Sequence, residues 1–267
     1  MRATSNPKFF EQTRFRYTWI ADSKNDGFGI NKAALSTTVS LPFFQQNHWR
    51  LSPGFNWNFW SGPDTATTGV DLPSQAYEFY LDSDFITNPC RNYGAEIDFS
   101  IGVYSDFKNM NSDSIRFMGV GLGWFRINEH NTFKVGVEYF DRVDIKLLPA
   151  FGLFYSPSPD VRFDIYFPRP RIAQRVRRVT TYEVWVYAGG EYGGDSWTVE
   201  RFGGLNDRID VNDVRAYVGG EWTGAAGFTG FFEFGYVFNR ELVFESIGAT
   251  NPVPVSDSIM LRAGFSF

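Results

Sequence analysis

From Arg14 to Phe267 the chain repeatedly alternates bulky apolar residues with small, polar or charged residues. The segment 95–103, AEIDFSIGV, is a clear example, because every second side chain is apolar. Alternation with a period of two places the two sets of side chains on opposite faces of a β-sheet. The pattern recurs in segment after segment, so the sequence predicts an all-β chain in which each strand has one apolar face.

The connections between these segments also follow an order. Short connections fall at residues 45–48, 128–131, 156–160 and 223–227, and longer ones fall between them at 22–31, 61–74, 193–212 and 240–257. Bacterial membrane barrels have short periplasmic turns, longer outer loops and an even number of strands. Two brief connections, 141–145 and 167–170, depart from this order. We expect about 14 strands, or 12 if the segment 171–176, which follows two prolines, is not a strand.

Alternation alone does not show whether the apolar faces point into the barrel or out of it. Soluble barrels and sandwiches also alternate, and they turn their apolar residues inward. Here 19% of the residues are aromatic, and the polar faces mix glycine with charges of both signs. The chain has 19 arginines and only six lysines, whereas a soluble surface favours Lys and Glu. Guanidinium groups suit fixed pairing with carboxylates along a lumen wall. The sequence therefore predicts a transmembrane antiparallel up-and-down β-barrel with its apolar face outward, in the bacterial outer membrane.

The C-terminus supports the same fold. Apolar residues occupy every second position back from the last residue, namely Ile259, Leu261, Ala263, Phe265 and Phe267. This pattern resembles the C-terminal signal by which the barrel-assembly machinery recognises outer-membrane proteins. The resemblance implies that these five residues form the assembly signal, with that machinery and outer-membrane lipid as partners.

Several segments resemble an uncharacterised outer-membrane β-barrel family of environmental bacteria, planctomycetes among them. They are LPAFGLFYSP (148–157), VRFD (161–164), FPRPR (167–171), FGYVFNREL (234–242) and LRAGFSF (261–267). The resemblance covers the C-terminal half better than the N-terminal half. It implies a barrel in the outer membrane, but it supplies no substrate and no functional residues.

No catalytic or cofactor site is apparent in the sequence. The two histidines, His48 and His130, fall in predicted turns without a serine or asparagine constellation, so we expect no enzyme activity and no cofactor. The stretch 206–213 carries several oxygen ligands, but its spacing is not that of an EF-hand, and a solvated acidic loop without a metal is the better interpretation. The glycines of GVGLG (119–123) lie on one strand face with no helix after them, unlike a dinucleotide site. Cys90 has no partner for an intramolecular disulfide.

The inward polar faces indicate which residues would line a lumen. The predicted pore-lining residues are Arg14, Arg16, Arg50, Glu78, Asp82, Glu96, Asp98 and Arg262. The basic residues come mainly from the first and last strands and the acidic ones from the fourth and fifth, which predicts two charged sectors that would act on dipolar solutes and ions. The alternative is that these are paired wall charges that stiffen the barrel.

A passive porin-like channel for small hydrophilic solutes is the leading functional prediction, because a barrel of this strand number is too wide for side chains alone to fill. The alternative is a non-conducting structural barrel, or the membrane subunit of a larger outer-membrane complex with other envelope subunits as partners. A net charge of −5 gives no footprint for nucleic acid.

The sequence predicts one barrel domain, residues 13–267, after an N-terminal periplasmic segment, residues 1–12. The N-terminus lacks the hydrophobic core of a signal peptide. In an outer-membrane protein this implies a mature chain from which the signal peptide has been removed.

Overall fold

The computed structural model describes residues 10–41, 48–108, 110–224, 227–246 and 251–267. Within these ranges the chain is almost entirely β-structure. The strands are β1 (Phe10–Ile20), β2 (Gly29–Leu41), β3 (His48–Ser61), β4 (Gln75–Ile86), β5 (Tyr93–Ser105), β6 (Ile115–Arg126), β7 (Asn131–Tyr139), β8 (Leu147–Ser158), β9 (Val161–Phe167), β10 (Arg171–Val179), β11 (Tyr182–Arg201), β12 (Leu205–Gly224), β13 (Thr229–Phe244), β14 (Val253–Val255) and β15 (Ser258–Ser266). The one α-helix in these ranges, α1 (Thr65–Thr68), is far too short to cross a bilayer.

Each barrel strand pairs with its neighbours in antiparallel order, and β15 pairs with β1 to close the sheet. The closure extends to the last residue, because Thr13 and Phe267 exchange two backbone hydrogen bonds, of 2.8 and 3.0 Å. The short β14 only adds to the edge of β13, so the wall has 14 strands. The predicted closed barrel is therefore confirmed, and the doubtful segment 171–176 belongs to a full strand, β10. The N-terminal residues 1–9 and most of the predicted turn 45–48 lie outside the described residues.

The direction of the faces follows the prediction on nearly every strand. Phe79, Val135 and Phe232 on the outer face are each half exposed, while Asn58 and Glu78 on the inner face are fully buried. Aromatic rings of neighbouring strands contact one another on the outside, as Phe55 and Phe79 do with ring centroids 4.6 Å apart. The barrel thus has an apolar exterior and a polar interior, the reverse of a soluble β-barrel.

Strand β6 is the exception, and its predicted orientation is wrong. The alternation suggested that its apolar residues face outward and its glycines inward. The register instead places Val120 beside the inward residues Asp98 of β5 and Glu138 of β7. Leu122 and Trp124 are accordingly buried inside the barrel. The prediction failed because glycine carries no polarity of its own, so the neighbouring strands decide the face.

The segment 193–212 is also not the long loop that the sequence suggested. It belongs to β11 and β12, which pair without interruption from Tyr182 with Gly224 to Arg201 with Leu205. Strand β1 begins and β15 ends at the same end of the barrel, which we call the terminal end. In an antiparallel order β11 also starts there, so the β11–β12 connection lies at the opposite end, which we call the loop end.

The β11–β12 hairpin bends into the barrel at Gly194. The φ angle of Gly194 is +87°, and a Cβ atom there would lie 1.6 Å from the carbonyl oxygen of Val211. Only glycine fits such a position. The pairing of β12 with β13 shifts register between Asn212 and Val214, directly across the hairpin from this bend. Residues 195–211 therefore turn inward, with Ile209–Val211 still paired with Leu242–Phe244 at the end of β13, and we call residues 195–211 the plug hairpin.

Candidate functional site

One face of the plug hairpin is apolar and completely buried. Trp197, Val199, Ile209 and Val211 are at most 3% exposed. The ring of Trp197 meets Trp60 of β3 edge to face, with centroids 5.0 Å apart. The rest of this buried cluster comes from the wall and loops of the loop end, namely Ile20, Phe28, Ile30, Val70, Ala76, Tyr104, Val237, Leu242, Phe244, Val255 and Met260. The hairpin thus forms a hydrophobic core across the barrel mouth.

The opposite face of the plug hairpin is polar and contacts the far wall. Thr198 forms a parallel β-bridge with Ser105, at the end of β5. The backbone N–H of Asp106 donates to the carbonyl of Thr198 at 3.3 Å, and its carboxylate accepts from the N–H of Glu200 at 3.1 Å. Strand β5 lies across the barrel from β11, so the hairpin spans the mouth.

The base of the plug hairpin is held by the loop between β7 and β8. Arg142 donates to the carbonyl oxygens of Gly193, at 2.9 Å, and Gly194, at 2.7 Å, and to the side chain of Asn212, at 2.9 Å. In return, the carboxylate of Asp210 accepts from the backbone N–H of Val143 at 2.6 Å. These bonds satisfy the polar groups that the bend exposes.

The tip of the plug hairpin is latched by Asp71, which lies in the connection between β3 and β4. Its carboxylate accepts from Arg201 at 3.1 Å and from the backbone N–H of Phe202. Burial alone would raise the pKa of Asp71, but these hydrogen bonds and the charge of Arg201 outweigh it and lower the pKa below its ordinary value. The ionised carboxylate of Asp71 therefore holds the tip of the hairpin.

The lumen below the plug hairpin keeps open space. A cavity of about 420 Å³ lies directly under it, lined by inward residues of most strands. A second cavity, of about 280 Å³, lies nearer the terminal end and is lined by Arg14 and Glu221 among others. Arg16 lines both cavities and so marks the place where they approach each other.

Several of the predicted pore-lining residues form ion pairs inside the barrel. Glu78 is buried against Lys32 at 2.9 Å and accepts from Asn58 at 2.8 Å. Arg262 contacts Glu191 at 2.8 Å. The list of pairs continues with Arg262 to Glu233, Glu96 to Lys134, and Arg50 to Asp84 at 3.9 Å. Four of the eight predicted lining residues, Arg50, Glu78, Glu96 and Arg262, therefore lie in ion pairs.

Four of the eight predicted lining residues differ from the rest. Within the described ranges, Arg14, Arg16, Asp82 and Asp98 have no oppositely charged side chain within 4 Å. Arg14 and Arg16 lie on β1, while Asp82 and Asp98 lie on β4 and β5. The uncompensated charges of the lumen are therefore separated into a basic and an acidic side.

Sequence reasoning missed the charges that hold the plug hairpin to the wall. Lys32 of β2 contacts Asp195 of the hairpin at 2.7 Å as well as Glu78, and so ties three elements together. Just below the hairpin, within β11 and β12 of the wall, Arg215 contacts Asp213 at 2.6 Å and Glu191 at 3.3 Å. Lys32 lies on the inward parity of β2, which was the signal available in the sequence.

The remaining candidates for chemistry have structural surroundings. His48 is the exposed first residue of β3, and Nδ1 of His130 lies 2.8 Å from the carbonyl oxygen of Ser156 in a turn. The acidic residues of 206–213 are occupied by protein groups such as Arg201, Val143 and Arg215. Over the described ranges, no three metal-ligating side chains converge. The stretch 206–213 is therefore not the solvated loop that the sequence suggested, since most of it belongs to the plug hairpin.

Comparison with solved structures finds bacterial outer-membrane barrels. The chain is similar to a KdgM porin at 8% identity, over 96% of this chain and 98% of that one, with a TM-score of 0.45. It is similar to the β domain of the Bordetella autotransporter BrkA at 10% identity, over 96% and 97%, with a TM-score of 0.44. No family model and no curated protein matches the sequence. The resemblance to one family of environmental bacteria therefore has no support beyond its motifs.

Proposed function

We propose that the protein is a porin-like barrel of the bacterial outer membrane for small hydrophilic solutes, and that the plug hairpin keeps its outer mouth closed at rest. The apolar exterior supports membrane embedding, since a bilayer takes up such a surface and water does not. The terminal end would face the periplasm, as is usual where both termini and the short turns share one end. The loop end and the plug hairpin would then face outward.

The plug hairpin is the observation that carries this proposal. It fills the mouth with one continuous hairpin that turns inward at Gly194 and stays paired with the end of β13, while the lumen below keeps a polar cavity of about 420 Å³. A structural barrel gains nothing from a charged cavity beneath its cap. A gated transport barrel combines a polar path with a part that can close it.

The second candidate function is a non-conducting structural barrel. It is favoured by the burial of both faces of the hairpin, since Thr198 and Asp210 on the polar side are as buried as Trp197 on the apolar side. A plug packed on both sides resembles a permanent core more than a gate.

Removal of the hairpin separates the two candidates. Gly194 and Asn212 are paired directly across the two strands, so a two-residue Asn-Gly turn can replace residues 195–211 and leave the β11–β12 pairing below the bend in register. In planar bilayers we expect the parent protein to be silent for most of the recording and the shortened protein to show steady conductance steps. A folded but silent shortened protein would favour the structural barrel.

We also propose that the barrel-assembly machinery reads the C-terminal strand. Ile259, Phe265 and Phe267 lie on the outer face of β15, the strand that closes the barrel against β1. The position of these side chains leaves them free for recognition until closure is complete.

A further inference from the structure

Arg16 is an uncompensated cation at the centre of the lumen. It projects from the inner face of β1, while its neighbours along the strand, Phe15 and Tyr17, point outward. The nearby cations Lys32, Arg215 and Arg262 all have carboxylate partners. Within the described ranges no carboxylate lies within 4 Å of Arg16, and Glu191 is held by Arg215 and Arg262. A partly desolvated guanidinium without a counter-charge is unfavourable, so an anionic group that reached it would be stabilised.

The acidic side of the same cavity is formed by β4 and β5. Asp82 is paired in register with Ser100, and Asp84 with Asp98, so three carboxylates lie side by side on the inner face. The one cation within 4 Å of this group in the described ranges is Arg50, whose Nε lies 3.9 Å from Asp84. Asp82 and Asp98 therefore present carboxyl oxygens to the cavity, where they can accept hydrogen bonds from a cation.

The two sides are separated by a distance that suits one small molecule. Strand β4 is three strands from β1, which corresponds to about 14 Å along the wall, and the side chains on both strands shorten this gap. The cavity between them measures about 420 Å³. A solute with a single charge would compensate one side and leave the other. A solute with a carboxylate at one end and an ammonium group at the other compensates both.

We propose that this cavity is a binding site for small zwitterions of the size of an amino acid, with the carboxylate on Arg16 and the ammonium group on Asp82 and Asp98. The inference rests on the proposed transport function and names the class of solute for which the lumen is built. It differs from a general charged pore because it requires both charges on the same molecule.

Isothermal titration calorimetry of the detergent-solubilised barrel at low salt tests this proposal with three probes of equal chain length. These are 4-aminobutanoate, butanoate and butylammonium. We expect saturable binding of 4-aminobutanoate at least tenfold tighter than that of either singly charged probe. Equal affinity for butanoate would reduce the site to an anion site, and no binding of any probe would also overturn the proposal.

Two variants and one matched control assign the residues. Arg16→Gln should weaken 4-aminobutanoate binding at least tenfold, and Asp82→Asn should do so while leaving butanoate unaffected. Arg14→Gln is the control, because Arg14 lies on the same strand and lines only the second cavity. An equal loss in Arg14→Gln would contradict the site. The titration involves no conductance, so its failure is distinct from failure of the channel proposal.

Discussion

Truncation of Trp197 should loosen the plug hairpin without disturbing the barrel wall. The side chain is 3% exposed and meets Trp60 edge to face, so its removal leaves a cavity in the core that closes the mouth. None of the wall's backbone hydrogen bonds involves this side chain. The variant Trp197→Ala therefore destabilises the plug hairpin in the mouth and leaves the strand pairing of the barrel wall intact.

The size of the effect follows from burial. Four apolar side chains of the hairpin are buried, and each contributes about 1.5–3 kcal/mol, or roughly 6–12 kcal/mol together before the entropy of ordering the hairpin is subtracted. Replacing a buried Trp by Ala costs about 3–5 kcal/mol. At about 1.4 kcal/mol for each factor of ten, the variant should open about 100 to 4,000 times more often than the parent.

Planar bilayer recording gives the open fraction directly. Trp57→Ala is the matched control, because Trp57 lies on the same strand as Trp60 but faces outward and is 37% exposed. We expect frequent openings for Trp197→Ala and parental behaviour for Trp57→Ala. If the folded Trp197→Ala protein stays as silent as the parent, the hairpin does not control the mouth.

Three further predictions concern the latch, the bend and the C-terminus. Because the pKa of Asp71 is lowered from its ordinary value of 3.8, its latch is complete above that pH and is lost as the pH falls through the lowered pKa. The open fraction should therefore rise in acid below pH 3.8, and Asp71→Asn should raise it at neutral pH; an acid response unchanged in Asp71→Asn would exclude this latch. Gly194→Ala should displace the hairpin and increase conductance more than the control Gly203→Ala does. Gly203 lies at the tip with φ +82°, and a Cβ there would have nothing within 4 Å. Equal conductance of the two variants would contradict the role of the bend at Gly194. Deletion of Phe267 should reduce the amount of heat-modifiable barrel in outer-membrane fractions but not secretion to the periplasm, and undiminished insertion would argue against the assembly signal.

Period-two alternation was enough to predict most of the wall, because on most strands the strand's own residues show which face is apolar and which is polar. Strand β10 follows two prolines and is rich in Arg, yet Ile172 still points outward and Ala173 inward. In β6 the alternation is between apolar residues and glycine, which leaves both orientations open. There the side chains of Asp98 and Glu138 on the neighbouring strands set the orientation, and single-strand reasoning does not include them.

The plug hairpin could not be predicted from strand patterns alone. Its apolar residues Trp197 and Val199 continue the alternation of β11, but on the parity that points into the lumen along the wall. Apolar residues on that parity were the available signal. Their meaning depends on the bend at Gly194 and on the distant residues that receive them, such as Trp60, and both are tertiary features.

The lumen charges illustrate the same limit. The sequence placed Arg16 and Arg262 on the same basic side, and both line the cavity. It could not tell that Arg262 is paired with Glu191 from a distant strand while Arg16 has no such partner among the described residues. β11 and β15 are three strands apart in the sheet, so this ion pair depends on the curvature of the wall, which brings their inward side chains together.

A reversible crosslink between the plug hairpin and the far wall tests the account most directly. Ser105 and Thr198 are bridge partners, so their Cα atoms lie at about the 5 Å separation that a disulfide requires. The variant carries Ser105→Cys and Thr198→Cys for the crosslink. It also carries Cys90→Ser, which removes the protein's own cysteine, and Trp197→Ala, which should make the uncrosslinked mouth open often. We expect the oxidised protein to be silent in planar bilayers and the same protein to show channel openings after reduction. Equal conductance, or equal silence, in the two states would contradict the claim that movement of this hairpin opens the barrel.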